Sequence, residues 1–299
     1  MSARPVAVVG LGVMGSALCA SLTAAGLDVV GFDVDRGRLQ SARRAGITLA
    51  GSAAAASRLA DIVVTSLPGA AALLAVVADI ATTRRAVVVL ETSTLSLATK
   101  REAQGLLADA GGTLLDCPLS GTGEQARRGD LVAYLSGDDE TAKAAVGPVL
   151  AAIGRGQHDL GAFGNGTRVK LVANLLVAVH NVAAAEALLL AEHLGLDVGT
   201  VLAAVTDGAG TSRMLEVRGP LMVDGRYEPA TMRLDTFMKD LDIIANVVRE
   251  AGTCTPLFDA AAALYAVGMS QDRQAQDTAC VHAVLASRAR DEERIPAPG

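Results

Sequence analysis

Short apolar runs alternate with alanine-rich helical patterns through the first half of the chain. The runs occupy residues 6–9, 29–32, 61–67, 86–90, 113–117 and 131–135, with weaker ones near residue 47 and at 157–160. This alternation is typical of buried parallel strands joined by helical crossovers. The pattern predicts an α/β fold with an N-terminal Rossmann-type, doubly wound sheet over residues 1–163, which the later strands extend in a different way.

The hydrophobic pattern changes at the glycine-rich stretch 161–167, which we interpret as a domain junction. No strand pattern follows it, and helical patterns cover residues 168–194, 198–207, 212–223, 237–251, 256–268 and 274–288. We predict an all-helical substrate and oligomerisation domain over residues 164–290. The last residues, 291–299, are predicted to be a disordered tail.

Three glycines follow the first predicted strand in the spacing G-x-G-x-x-G. Gly10 permits a tight turn, Gly12 lets backbone N–H groups approach a pyrophosphate, and Gly15 lets the next helix pack on the sheet. Asp33 ends the second strand, where a carboxylate accepts ribose hydroxyls and repels a 2′-phosphate. We expect NAD binding, with NADP left open because Arg36 is near. The predicted phosphate loop is residues 10–15, namely Gly10, Leu11, Gly12, Val13, Met14 and Gly15.

The uncharged stretch 5–27 also fits a signal peptide or a membrane segment. However, Pro5 and four glycines interrupt it, and the long apolar stretch 171–190 contains the polar residues Asn174, His180, Asn181 and Glu186. We therefore predict a buried helix of a soluble protein there, and no membrane partner.

Composition narrows the function classes. Of 299 residues, 51% are hydrophobic but only 2% aromatic, and the net charge of −6 gives no electrostatic basis for a nucleic-acid partner. The cysteines lack metal-ligand spacing, so we predict reduced thiols, no metal site and a cytoplasmic protein. They are Cys19, Cys117, Cys254 and Cys280.

A polar stripe crosses the long apolar helix predicted at 168–194. Lys170, Asn174 and Asn181 are spaced by four and seven residues, so they share a face. Lys170 is predicted in the first turn, where the helix dipole and apolar neighbours favour a neutral amine suited to proton transfer. The alternative is that Lys170 snorkels to solvent.

Residues 116–123 (DCPLSGTG), which we name the substrate motif, follow a predicted strand. Ligands of open parallel sheets bind beyond the carboxyl ends of strands. Ser120 and Gly121 offer a hydroxyl and N–H groups that could hold a carboxylate. The alternative is an ordinary glycine-rich turn.

With these motifs the chain resembles the β-hydroxyacid dehydrogenase family, which includes 3-hydroxyisobutyrate dehydrogenase and belongs to the 6-phosphogluconate dehydrogenase superfamily. The resemblance covers residues 6–288. It comprises the phosphate loop, Leu67-Pro68, Ser93-Thr94, a D-x-P-V-S-G-G-like segment at 116–131, GNGTRVKLVAN at 164–174, and Lys239-Asp240-Leu241.

The resemblance implies NAD-dependent oxidation of a small 3-hydroxy acid such as 3-hydroxyisobutyrate, glycerate (which is oxidised to tartronate semialdehyde) or L-threonate. It implies that Lys170 is the general acid or base and that Asn174 orients the substrate. It also implies a homodimer or homotetramer formed through the helical part. The remaining implied contacts are Ser120, Gly121 and Thr122 to the substrate carboxylate, and Leu67, Pro68, Thr94 and Lys239 to the cofactor.

Four positions depart from the family pattern, and all lie in substrate-facing motifs. Thr122, Gln125, Ala173 and Arg213 stand where Gly, Gly, Asn and Trp are common, so we expect them to affect the substrate more than the reaction. Arg213 is otherwise a solvated helix residue. Two further functions remain alternatives: a non-catalytic dinucleotide-binding protein on the same fold, and an imine reductase, which Lys170 disfavours.

Overall fold

The computed structural model describes residues 4–293, which form two compact units that divide after Lys170. The predicted domain boundary at residue 163 stays a prediction. The strands are β1 (Val6–Val9), β2 (Val29–Phe32), β3 (Thr48–Leu49), β4 (Ile62–Thr65), β5 (Val88–Glu91), β6 (Thr113–Asp116), β7 (Leu119–Ser120), β8 (Leu131–Leu135) and β9 (Gly154–Asp159).

The helices surround the strands in the first unit and make up the second. They are α1 (Val13–Ala24), α2 (Arg36–Arg44), α3 (Ala53–Leu59), α4 (Ala70–Ala81), α5 (Leu97–Ala108), α6 (Gly123–Arg127), α7 (Glu140–Ala145), α8 (Gly147–Ile153), α9 (Asn165–His193), α10 (Val198–Thr206), α11 (Arg213–Val223), α12 (Leu234–Ala251), α13 (Pro256–Ser270) and α14 (Val281–Glu293).

A six-stranded parallel sheet in the order β3-β2-β1-β4-β5-β6 forms the centre of the first unit. Strand side chains alternate between its faces, so Val6 and Val8 enter one buried cluster whereas Ala7 and Val9 enter another. Helices therefore cover both faces, and the predicted Rossmann-type fold is confirmed.

The later strands form a second sheet in the order β7-β8-β9. β7 pairs antiparallel with β8, and β8 pairs parallel with β9. Pro118, the second residue after β6, has no N–H to donate to a strand ladder, and the two-residue β7 begins at the next residue. The sequence pattern did not predict β7, because two residues carry no periodicity.

The second unit is helical, as predicted, and packs around α9. Phe237 and Tyr265 contact edge to face with ring centroids 5.4 Å apart, and the Tyr265 hydroxyl donates to the Ala178 carbonyl. α9 is long and apolar enough to cross a membrane by length and composition alone. It nevertheless buries Asn174 and Asn181, which are hydrogen-bonded inside this unit.

The starts of three helices differ from the prediction by three residues or more, and α12 begins at Leu234 instead of residue 237. α9 begins three residues earlier than expected, so Lys170 lies in its second turn and the first-turn prediction was wrong. The last helix begins at Val281 instead of residue 274, because the Asp277 carboxylate holds the preceding segment by accepting from Thr231 and Met232. α14 continues to Glu293, so residues 291–293 of the predicted tail are helical, and residues 294–299 lie outside the described part.

Candidate active site

The phosphate loop joins β1 to α1 and depends on close backbone contacts. Gly10 has a φ of +92°, and a Cβ on it would lie 2.2 Å from the Ser66 carbonyl oxygen. A Cβ on Gly15 would lie 1.7 Å from the Gly10 carbonyl oxygen. At Gly12 the nearest atom is Nη1 of Arg38, 3.9 Å away. The chain itself thus requires two of the glycines, whereas Gly12 leaves space where a phosphate would meet the N-terminal end of α1.

Asp33 is buried at the end of β2 and holds the phosphate loop in place. Its Oδ2 accepts the Leu11 N–H at 2.7 Å, and its Oδ1 accepts the Asp35 N–H at 2.8 Å. Nη1 of Arg38 lies 3.4 Å from Oδ2. A carboxylate has further lone pairs, so these contacts are compatible with the predicted ribose contact. The arginine that reaches this position is Arg38, whereas sequence reasoning had considered Arg36.

The three predicted cofactor residues Leu67, Pro68 and Thr94 lie in loops on the same side of the sheet. Leu67 and Pro68 follow β4, and Thr94 follows β5. The Leu67 N–H donates to Oγ of Ser93 at 2.8 Å, and the Ser93 N–H donates to Oε1 of Glu91 at 3.0 Å. Because β1, β4 and β5 are parallel neighbours, these loops lie beside the phosphate loop at the carboxyl edge, where such sheets bind ligands.

The substrate motif turns sharply at Gly121, which has a φ of +137°. Thr122 then caps α6: its Oγ1 accepts the Gln125 N–H at 3.3 Å, and Oε1 of Gln125 accepts the Thr122 N–H at 3.0 Å. This capping box accounts for two departures from the family pattern as one matched pair. The predicted contacts of Ser120, Gly121 and Thr122 with a substrate stay predictions.

The substrate motif lies directly against α1, the helix that follows the predicted phosphate loop. A Cβ on Gly123 would approach Cγ1 of Val13, the first residue of α1, to 2.8 Å. Further along, the Ser21 hydroxyl of α1 donates to the Ala126 carbonyl of α6. The first unit therefore brings the motifs predicted to bind cofactor and substrate into contact.

Lys170 is buried, with 8% of its surface exposed, which argues against the snorkelling alternative. The first turn of its helix is held by Asp116, the first residue of the substrate motif. Oδ2 of Asp116 accepts the Thr167 N–H and Oδ1 accepts the Thr167 hydroxyl, both at 2.8 Å. The first unit thus connects the start of the substrate motif to the helical turn that precedes Lys170.

A buried ion cluster supports this attachment, and sequence reasoning missed it. Nζ of Lys100 lies 2.6 Å from Oε2 of Glu91 and 2.8 Å from Oδ1 of Asp116. Complete burial acts to lower the pKa of Lys100, but the two carboxylates outweigh burial and raise this pKa above its ordinary value. Lys100 therefore stays charged. A lone lysine in a predicted helix gives no sequence signal for such a role.

In the helical unit, Asn174 and Lys239 both contact the buried Asp240. Nδ2 of Asn174 donates to Oδ2 of Asp240 at 2.9 Å, and Nζ of Lys239 lies 3.5 Å from Oδ1. Asn181 instead donates to the Tyr265 hydroxyl and serves the core. The two predicted residues of this unit are therefore brought together, whereas Asn181 is structural.

Arg213, the departure at the start of α11, pairs with Glu216. Its Nη1 lies 2.8 Å from Oε2 of Glu216, and its side chain is 65% exposed. This placement agrees with a solvated helix residue.

The parallel sheet, the phosphate loop and the buried Lys170 define the class of NAD(P)-dependent oxidoreductases. Residues 5–169 match the family model for the NAD-binding domain of 6-phosphogluconate dehydrogenase. Residues 164–285 match the model described as NAD-binding of NADP-dependent 3-hydroxyisobutyrate dehydrogenase. The chain belongs to the β-hydroxyacid dehydrogenase family and is an NAD(P)-dependent hydroxyacid dehydrogenase.

Individual relatives agree over nearly the full length. L-threonate dehydrogenase of Cupriavidus necator is 31% identical over 93% of this chain and 95% of its own. The 3-hydroxyisobutyrate dehydrogenase structure from Salmonella typhimurium is 30% identical, with a TM-score of 0.85 over 94% of this chain and 99% of its own. The Mycobacterium tuberculosis 3-hydroxyisobutyrate dehydrogenase, solved with L-serine, is 29% identical, with a TM-score of 0.84 over 95% and 99%.

Proposed function

We propose that this chain oxidises a small 3-hydroxy acid, such as 3-hydroxyisobutyrate, glycerate or L-threonate, with NAD+, and that Lys170 is the general base. The observation that carries the proposal is the attachment of the Lys170 helix to Asp116. Lys170 and Asp116 both lie in the unit that carries the phosphate loop, and Ser120 follows Asp116 by four residues. The substrates named for the relatives support the 3-hydroxy acid class.

Each residue has a defined role in this reaction. The phosphate loop and Asp33 would hold NAD+, whose nicotinamide would supply the acceptor for the hydride from C3 of the substrate. Lys170 takes the proton of the C3 hydroxyl, and its ammonium form stabilises the negative charge that develops on that oxygen. The Ser120 hydroxyl and the Gly121 N–H bind the substrate carboxylate. As the family motifs imply, Asn174 orients the substrate and Lys239 approaches the nicotinamide.

The test is a spectrophotometric screen for NADH formation. The panel holds 3-hydroxyisobutyrate, glycerate, L-threonate and their sulfonated or phosphorylated analogues, and tartronate semialdehyde is tested in the reducing direction. We expect turnover of at least one 3-hydroxy acid. Cofactor binding, followed by the fluorescence of NADH, without turnover of any member would support the non-catalytic alternative and contradict the proposal.

We propose NAD+ as the preferred cofactor because the buried Asp33 carboxylate would repel a 2′-phosphate. Arg38 is the cation beside that carboxylate. We expect Arg38→Leu to lower kcat/KM with NADP+ by about 10-fold or more, since one charge-assisted hydrogen bond contributes about 1.5–3 kcal/mol. The value with NAD+ should change by less than about threefold.

Arg36→Leu is the matched control, because Arg36 is the exposed first residue of the same helix. It should leave both values unchanged in the same steady-state assay. A wild-type preference for NADP+ would contradict the role given to Asp33, and equal losses in the two variants would contradict the role given to Arg38.

We also propose a cytoplasmic homodimer or homotetramer formed through the helical unit. In α9 and at the residue directly after it, four apolar side chains in two pairs are 47–65% exposed, which is characteristic of a surface that another protein covers. They are Val172, Leu176, Leu190 and Leu194.

Light scattering after size exclusion tests this assembly. We expect Leu176→Glu combined with Leu190→Glu to shift the protein to a smaller mass, because two buried charges would destabilise the interface. Leu59→Glu, at a 49% exposed position in the first unit, is the control and should leave the mass unchanged. A monomeric wild type, or a double variant of unchanged mass, would contradict the proposal.

A further inference from the structure

The Asp116 carboxylate accepts hydrogen bonds from three separate elements. In addition to the two hydrogen bonds from Thr167, it accepts one from Nζ of Lys100 at 2.8 Å and one from Oγ of Ser136 at 3.1 Å. Lys100, Asp116 and Ser136 have no exposed surface, and Thr167 is 1% exposed. A carboxylate that is this deeply buried and fully bonded holds its partners in one geometry.

The contact between α9 and the sheet leaves no room for adjustment. The Gly166 N–H donates to Oγ of Ser136 at 2.9 Å. A Cβ on Gly166 would lie 2.2 Å from the Tyr134 carbonyl oxygen and 3.0 Å from that of Asp116. The first turn of α9 is therefore pressed against strand backbone, and Lys170 lies in the following turn.

The same network extends to the cofactor loops. Glu91 shares Lys100 with Asp116, and its other carboxylate oxygen accepts the Ser93 N–H, while Ser93 accepts the Leu67 N–H. The Thr167 N–H at the start of α9 donates to Asp116, and the N-terminal end of a helix favours a carboxylate beside it.

We propose that Asp116 and Thr167 are positioning residues that set the location of Lys170 relative to the substrate motif. The proposal rests on the proposed function, because it assumes that Lys170 transfers the proton. Asp116 sets this location because it belongs to both parts: its backbone begins the substrate motif, and its side chain binds the helix that carries Lys170. Stability alone would not require this arrangement, since buried ion pairs are often replaceable by apolar residues at little cost.

The decisive variants are Thr167→Val and Thr167→Ser, which differ in the hydroxyl that donates to Oδ1 of Asp116. We expect Thr167→Val to lower kcat by about 10- to 100-fold, because a displacement of about 1 Å at a reacting group costs about that much. The dissociation constant for NAD+ should change by less than about twofold, since the phosphate loop is intact. Thr167→Ser should restore most of kcat.

A stronger variant and a control accompany this pair. Asp116→Asn places amide donors among existing donors and should lower kcat further, although loss of folding is a real outcome for it. Asp79→Ala is the control, because Oδ2 of Asp79 also holds the first turn of a helix, α3, through the Ala54 N–H at 2.7 Å. It should lower the melting temperature without changing kcat.

Lysine NMR gives a readout that does not depend on turnover. The chain has only four lysines, Lys100, Lys143, Lys170 and Lys239, so the labelled 13Cε signals can be assigned by single substitutions. Thr167→Val should shift the Lys170 signal, and Thr167→Ser should not. An unmoved signal with wild-type kcat in a folded Thr167→Val variant would overturn the positioning proposal. Normal turnover in Lys170→Ala would instead overturn the proposed function, while the NMR comparison would still decide whether Thr167 positions Lys170.

Discussion

Lys170→Ala is expected to lower kcat by about 100- to 10,000-fold, the range that general acid–base catalysis contributes. The reason is that the variant loses both the proton acceptor and the ammonium that stabilises the developing oxyanion. NAD+ binding, followed by isothermal titration calorimetry, should stay close to wild type because the phosphate loop and Asp33 are untouched. Steady-state rates with the best substrate of the panel measure the effect.

Lys170→Arg separates proton transfer from charge. A guanidinium keeps the positive charge but does not give up a proton in proteins, so kcat should stay low even if the substrate binds. Lys143→Ala is the lysine control, since Lys143 forms ion pairs with Glu140 and Asp159 outside the predicted motifs. Near-normal turnover in Lys170→Ala would refute the assignment of Lys170 as the general base.

The second large effect is expected in the phosphate loop, where alanine substitutions of two glycines should have different consequences, one for stability and one for cofactor binding. Gly15→Ala places a Cβ 1.7 Å from the Gly10 carbonyl oxygen, so the chain must move. We expect a loss of about 3 kcal/mol or more in the free energy of unfolding, at the upper end of overpacking costs. Urea unfolding without cofactor measures this loss.

Gly12→Ala should fold normally and yet bind NAD+ poorly. Gly12 has a φ of −66°, which alanine adopts, and its nearest neighbour would be 3.9 Å from the new Cβ. The methyl group would instead meet the pyrophosphate, and we expect the dissociation constant for NAD+ to rise about 30-fold, equivalent to about 2 kcal/mol. Wild-type affinity in Gly12→Ala would show that the pyrophosphate binds elsewhere.

The fold could largely be predicted because its signals are local. The apolar runs at residues 6–9 and 29–32 coincide with β1 and β2, and the glycine spacing is legible without a structure. The start of α9 was placed three residues late, since Gly164 and Gly166 are poor helix residues by propensity. That start is stabilised by Asp116 and Ser136, which are far away in the sequence.

Some contacts of the candidate site also could not be predicted from the sequence. The choice of Arg38 over Arg36 depends on how α2 leaves β2, and the pairing of Thr122 with Gln125 depends on where α6 begins. Lys100 carried no signal, because it lies in a helix and the carboxylates that make its burial favourable belong to two strands.

The sequence by itself determined the class of protein: an NAD(P)-binding parallel sheet followed by helices, with the motifs of a hydroxyacid dehydrogenase in order. Hydrophobic periodicity, glycine spacing and short motifs encode these features within a few residues of each other. Only the tertiary structure decided that Asp116, Lys100 and Thr167 form one buried network beneath the helix of Lys170. Such a network depends on long-range burial, which removes water from charges that local sequence cannot bring together.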